Sequence, residues 1–160
     1  MKRFLSFLFS ALILVSVLAC PAYAAQNEAP EVSTETFTEY FDDGSYLVTT
    51  VSSSEITTMS VAIKSGSKSS HYYSSKNEEL WVVTVHGTFS YNGASATCTE
   101  SSVSYKVYDD FDWKVTSAIA SKSGANAIGN FTVKHYFTFV PVKTIERTVT
   151  LNCSKSGVLS

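Results

Sequence analysis

Charge is scarce in this chain. Only 16% of its 160 residues are Asp, Glu, Lys or Arg, and the net charge is −2. With no basic excess to neutralise phosphates, nucleic acid is excluded as a partner. Chemistry-bearing motifs are missing too. There is no Gly-x-Ser-x-Gly elbow and no phosphate-cradling glycine loop. The three histidines, His71, His86 and His135, stand on separate segments without metal-ligand spacing, so neither a metal nor a cofactor is expected. No stretch carries a sustained helical period. What is present is 44% hydrophobic and 13% aromatic, too apolar for a disordered chain and long enough for one domain.

The one long apolar run comes first. Lys2 and Arg3 precede fifteen residues, Phe4 to Leu18, of Phe, Leu, Ile, Val, Ala and Ser only, and Ala22-Tyr23-Ala24 then offers small residues at −3 and −1. A basic start, an apolar stretch of this length and an A-x-A site describe a secretory signal over residues 1–24. Fifteen residues fall short of the roughly 20 needed to span a bilayer, so no membrane span is expected in the mature form. Val17-Leu18-Ala19-Cys20 is a weaker alternative signal, in which Cys20 carries a lipid. Cleavage after Ala24 removes two cations and no anion, leaving ten Lys and Arg against fourteen Asp and Glu. It also leaves two cysteines, Cys98 and Cys153, which in an exported chain read as one disulfide.

Residues 25–35 are polar and acidic and read as a flexible lead-in. From residue 36 to 160 the period is two. Forty Ser and Thr among the 136 residues after Ala24 alternate with β-branched and aromatic side chains, and proline is too rare for a stalk. Leu80–Tyr91 alternates most cleanly, with Trp81, Val83, Val85, Gly87, Phe89 and Tyr91 on one face. Asn92-Gly93 then predicts a two-residue hairpin, setting Phe89 opposite Ala96 and Gly87 opposite Cys98. A change of parity between Cys98 and Val103 predicts an extra residue near Thr99–Ser102. Phe111, Trp113, Val115 and Ile119 form a further alternating run. Phe131 to Phe139 and Ile145 to Cys153 follow, expected to join through a loop at Pro141–Lys143 that places His135 beside Val149. Asp43-Gly44 marks another hairpin; Met59, Val61 and Ile63 a short strand; Lys64–Lys76 a polar loop or weak edge strand. The expected fold is all-β, an antiparallel sandwich of about eight hairpin-linked strands, with a small up-and-down β-barrel as alternative.

The order Cys98…Trp113…Cys153 is similar in architecture to an immunoglobulin-type sandwich. The phrases Asp43-Gly44-Ser45-Tyr46-Leu47-Val48-Thr49-Thr50, Val85-His86-Gly87-Thr88-Phe89-Ser90-Tyr91-Asn92-Gly93 and Leu151-Asn152-Cys153-Ser154-Lys155-Ser156-Gly157 resemble a group of uncharacterised small exported proteins of Gram-positive bacteria. That resemblance implies export and one domain, and no activity.

Each polar candidate has a plain structural reading beside the functional one. His135, on an apolar face, is either a hydrogen-bonded core residue or, with Arg147, an anion site in a barrel lumen. Asp42-Asp43 and Asp109, Asp110 and Asp112 sit at turns, where Asp bonds its own backbone. His71, Tyr72 and Tyr73 are the most binding-like group, because adjacent rings on an extended chain cannot both face one core. The expected role is therefore a secreted, non-catalytic module at the cell exterior or envelope, whose partner is a protein or a glycan. A small-ligand carrier and a hydrolase without a motif are the alternatives.

Overall fold

The computed structural model describes residues 34–56 and 62–160. The signal segment, Cys20 and most of the lead-in lie outside the described residues, as do Met59 and Val61. Eight strands follow one another: β1 (Thr34–Tyr40), β2 (Tyr46–Ile56), β3 (Ala62–Tyr73), β4 (Glu79–Tyr91), β5 (Ala96–Val107), β6 (Trp113–Ser123), β7 (Asn126–Phe137) and β8 (Val140–Asn152). They form two antiparallel sheets, one ordered β1-β2-β3-β4-β5 and the other β6-β7-β8. Every neighbour in a sheet is a neighbour in sequence. This is an up-and-down meander that changes sheet once, between β5 and β6, and it differs from the Greek-key connections of an immunoglobulin fold. The sheets do not close on each other, so the fold is a sandwich and not the alternative barrel.

β4 follows its sequence period strictly: Trp81, Val83, Val85, Gly87 and Phe89 are all buried. Its hairpin is longer than Asn92-Gly93 alone predicts, with Tyr91 facing Ala96. The Asn92 side chain accepts the amides of Ala94 (3.0 Å) and Ser95 (2.9 Å), which spreads the turn over four residues. The extra residue expected nearby is Thr99, skipped between Cys98, opposite Phe89, and Glu100, opposite Thr88. Cys98 therefore faces Phe89 and not Gly87. Thr34 and Glu35, assigned by composition to the lead-in, are already strand.

Three other elements depart from the sequence pattern. The polar stretch expected as a loop or edge is β3, a twelve-residue strand paired on both sides. Its alternation is hidden because hydroxyls replace apolar groups. Ser67 meets Ser52 at 3.1 Å and Ser69 meets Thr84 at 2.9 Å across the strands. In β6 a bulge at Thr116 flips the parity, so Ala118 packs inward and Ile119 is exposed. In the β7–β8 hairpin, Phe137 pairs with Val140 through a tight turn at Thr138-Phe139, and Val142 is skipped. Arg147 consequently faces Phe131, and His135 faces Lys143.

The core lies between the sheets. Tyr72 stacks on Trp81 (ring centroids 4.9 Å, 10°), and Trp113 from the other sheet reaches Tyr72 at 5.2 Å. Leu47, Val83, Val85, Phe89, Ala127, Phe131, Val133, Val149, Leu151 and Leu159 fill the remainder. The eight strands and the core they enclose among the described residues lie within residues 34–160. Gly66 and Gly87 face each other across β3 and β4. A Cβ on Gly87 would stand 2.6 Å from the Phe89 ring and 2.9 Å from Ala127. Gly87→Ala is expected to destabilise by about 1–3 kcal/mol through overpacking, read as a lower midpoint in urea unfolding at unchanged slope.

Candidate functional site

β3 separates the three adjacent candidates His71, Tyr72 and Tyr73 onto two faces. Tyr72 points inward and is buried against Trp81, so it is a core residue and not part of a binding surface. His71 and Tyr73 point outward. His71 Nδ1 lies 2.7 Å from Glu79 Oε1. Tyr73 stacks face to face on Tyr46 (4.9 Å, 11°), and Tyr46 contacts Tyr40 (5.5 Å, 41°). Direct cross-strand pairing of Tyr40 with Tyr46 and of Tyr46 with Tyr73 places these rings in one row on the outer face of the larger sheet. Tyr40 ends the row at 75% exposure. Burial pushes the Tyr73 phenol up, and the nearby Glu79, Tyr46 and Tyr108 add to that. Tyr40 and Tyr46 were absent from the sequence candidates. The signal for them was the Asp43-Gly44 turn, which places them opposite each other.

Below this row, a polar network joins the β1–β2 turn to the start of β8. The Asp43 carboxylate accepts the Ser45 amide (3.0 Å) and hydroxyl, and receives the Lys143 ammonium at 2.6 Å. Lys143 also donates to the Tyr72 hydroxyl (2.9 Å), which donates in turn to Ser45 Oγ (2.9 Å). Lys143 and the two Ser45 donors hold the Asp43 carboxyl well below the usual carboxylate range. Burial pulls the Lys143 ammonium down, but its bonds to Asp43 and Tyr72 outweigh this and leave it raised. The group ties the two sheets together. At the second acidic turn the bond is local, with Asp109 Oδ1 accepting the Asp112 amide at 3.4 Å.

His135 and Arg147 are not brought together. His135 stacks on Trp113 (4.7 Å, 16°). Arg147 bridges the sheets, donating to Glu39 (3.0 Å) and to Thr49 Oγ1 (3.4 Å). There is no lumen between them, since the sheets stay open. Arg147 instead lines a groove of about 400 Å³ with Phe37, Val51 and Lys68, where β1 overhangs β8. A second, wider groove of about 890 Å³ is lined by serines of β2, β3 and β5 with His86, Thr88 and Lys122. His86 Nε2 lies 2.9 Å from Ser104 Oγ. Among the described residues no cluster of His, Cys, Asp and Glu has the arrangement of a metal site.

Cys98 and Cys153 are two buried free thiols and not the expected disulfide. Their amides donate to consecutive carbonyls, Gly124 (2.8 Å) and Ala125 (3.0 Å), so both flank the β6–β7 turn. Each thiol points to a backbone acceptor, Cys98 to Glu100 at 3.1 Å and Cys153 to Ser154 at 3.4 Å. Burial pushes both thiols up, against the pull of Lys122 on Cys98 and of Lys64 on Cys153. High thiol pKa values disfavour the nucleophilic thiolate.

Comparison with protein-family models, with curated proteins and with solved structures finds no match.

The Asp43–Lys143 pair gives a signed pH dependence. Because the Asp43 pKa is depressed on folding, its contribution is complete above the unfolded value near ~3.9 and is lost as pH falls below it. The raised Lys143 contributes fully below about 10.4 and loses its effect at higher pH. Both groups are partly exposed, and a double-mutant cycle of Asp43→Asn and Lys143→Met is expected to give a coupling below about 1 kcal/mol at pH 7. In urea titrations that coupling should hold through neutral pH and fade below about pH 4.

Proposed function

We propose that this protein is an exported, non-catalytic interaction module that binds a protein partner outside the cell or at its envelope through the outer face around Tyr40, Tyr46 and Tyr73. The observation that carries this is the tyrosine row itself. Mutual stacking holds the rings before any partner arrives, so docking costs little side-chain entropy. Tyrosine supplies large amphipathic contact area of the kind that dominates protein interfaces. Stacking covers one face of Tyr73 and places Tyr46 between Tyr73 and the tilted Tyr40, with the Tyr46 hydroxyl on Asn77 Oδ1 (3.2 Å). A row of mutually stacked rings that offers mainly edges suits a protein surface better than a sugar ring, and this favours a protein over a glycan. The His71–Glu79 pair and Tyr108 with Lys106 above its ring (4.4 Å) border the row with polar groups. Export rests on the Lys2–Ala24 pattern of the sequence.

Tyr40→Ala with Tyr46→Ala, in residues 25–160 immobilised against a fractionated cell envelope, is expected to lower retention of a protein component about 30-fold or more. Retention of purified envelope glycan alone would move the partner to carbohydrate. Equal retention by the variant would remove this face from the proposal.

In this reading residues 1–24 are removed on export. Intact mass spectrometry of protein collected outside the cell should find a chain beginning at Ala25, and an uncleaved chain would reject the signal.

A further inference from the structure

The β7–β8 hairpin ends in side chains that the core does not use. Phe139 is 94% exposed, Phe137 72%, and Val140 is exposed beside them. Phe111, at 87%, belongs to the same end of the molecule, since the Tyr136 amide donates to the Asp112 carbonyl at 2.7 Å. The tip is apolar on both faces. Phe137 pairs with Val140 on one, and Tyr136 pairs with Pro141 on the other. Phe139 occupies the turn between them at φ 69°, following Thr138 at φ 46°. A bulky side chain in the left-handed region is a backbone outlier. A glycine or asparagine would relieve the turn, so Phe139 is held outward against local preference.

We infer that this hairpin tip docks the protein on a lipid bilayer, inserting Phe137, Phe139 and Val140 into the acyl boundary of a zwitterionic membrane. A rigid partner covers one face of a protruding hairpin, whereas fluid hydrocarbon surrounds all of it. The charges behind the tip fit lipid headgroups. Lys114 and Lys134 face each other across β6 and β7, a like-charge pair that is unfavourable unless an anion lies between. Lys134 lies five positions back from Phe139, on the order of 15 Å along the strand. Insertion of an apolar face by ~5–10 Å brings ammonium groups at that distance to the phosphates. Tyr136, with Lys114 at 5.5 Å from its ring, supplies an aromatic at the same interface. Asp110 and Asp112 flank Phe111, so the phosphates of a zwitterionic surface suit this end better than an anionic one. The inference is independent of the tyrosine row.

The test is flotation of residues 25–160 with phosphatidylcholine vesicles. That segment holds the whole sandwich and omits the apolar run Phe4–Leu18, whose own lipid affinity would mask the effect. Wild type is expected to float with the vesicles and to keep its affinity within about twofold in 0.5 M salt, since screening barely touches apolar insertion. Phe139→Asn, which suits the left-handed turn, is expected to weaken binding about tenfold or more while the melting temperature stays level or rises. Phe137→Ser should weaken binding similarly. Three results would overturn the inference: no flotation of wild type, flotation unchanged in both variants, or self-association without vesicle binding that Phe139→Asn abolishes.

Discussion

Everything in this molecule is arranged around one aromatic contact. Trp81 lies flat on Tyr72, and Trp113 crosses from the opposite sheet to meet both, at 5.2 Å from Tyr72 and 6.3 Å from Trp81. Large rings bury much area per residue and add a geometric preference that aliphatic groups lack. A two-sheet meander that joins its sheets by a single connection needs such a contact, because no hydrogen bond of either ladder crosses the gap. The Tyr72 hydroxyl, at the far end of the buried ring, receives Lys143 and donates to Ser45, and so links the core to Asp43 at the surface. Packing and polar network are two ends of one side chain.

That arrangement settles what the neighbours of Tyr72 do. A strand that commits Tyr72 to the core must turn His71 and Tyr73 outward. Pairing with β2 then places Tyr73 on Tyr46 and, one strand further, near Tyr40. The outer tyrosine row is thus the reverse side of the aromatic core. Lys143, opposite His135 in the β7–β8 hairpin, anchors the start of β8 to the Asp43 turn and so sets the base from which the Phe137–Val140 tip projects. The tyrosine row and the hairpin tip are both held by the interaction that holds the sheets together.

Hydroxyl-rich pairing explains why a chain with few apolar residues in β3 nonetheless makes it a central strand. Ser65, Ser67 and Ser69 each meet a Ser or Thr on an adjacent strand. Gly66 leaves the space that Leu159 fills from the C-terminal segment. Small polar side chains cost little to order, and on a sheet face they satisfy one another across the ladder.

Period two, read along β4, β7 and the second half of β8, assigned the inward face correctly for Trp81, Val83, Val85, Phe131, Val133, Val149 and Leu151, because strand geometry alone sends alternate side chains to opposite sides. The parity change after Cys98 foretold the bulge at Thr99 for the same reason. Composition and alternation were therefore enough for an all-β fold of eight strands. They were not enough for register. Asn92 bonded the amides after it and lengthened one turn, while Thr138-Phe139 closed another three residues before the expected loop. Each shift moved pairings along its own ladder, and the second separated His135 from Arg147. Which of Tyr72 and Tyr73 would be buried, and that Asp43 would find Lys143, depended on contacts between residues up to 100 positions apart. Local sequence determines which way a side chain points within its strand. Only the packing of one sheet on the other determines what it meets there.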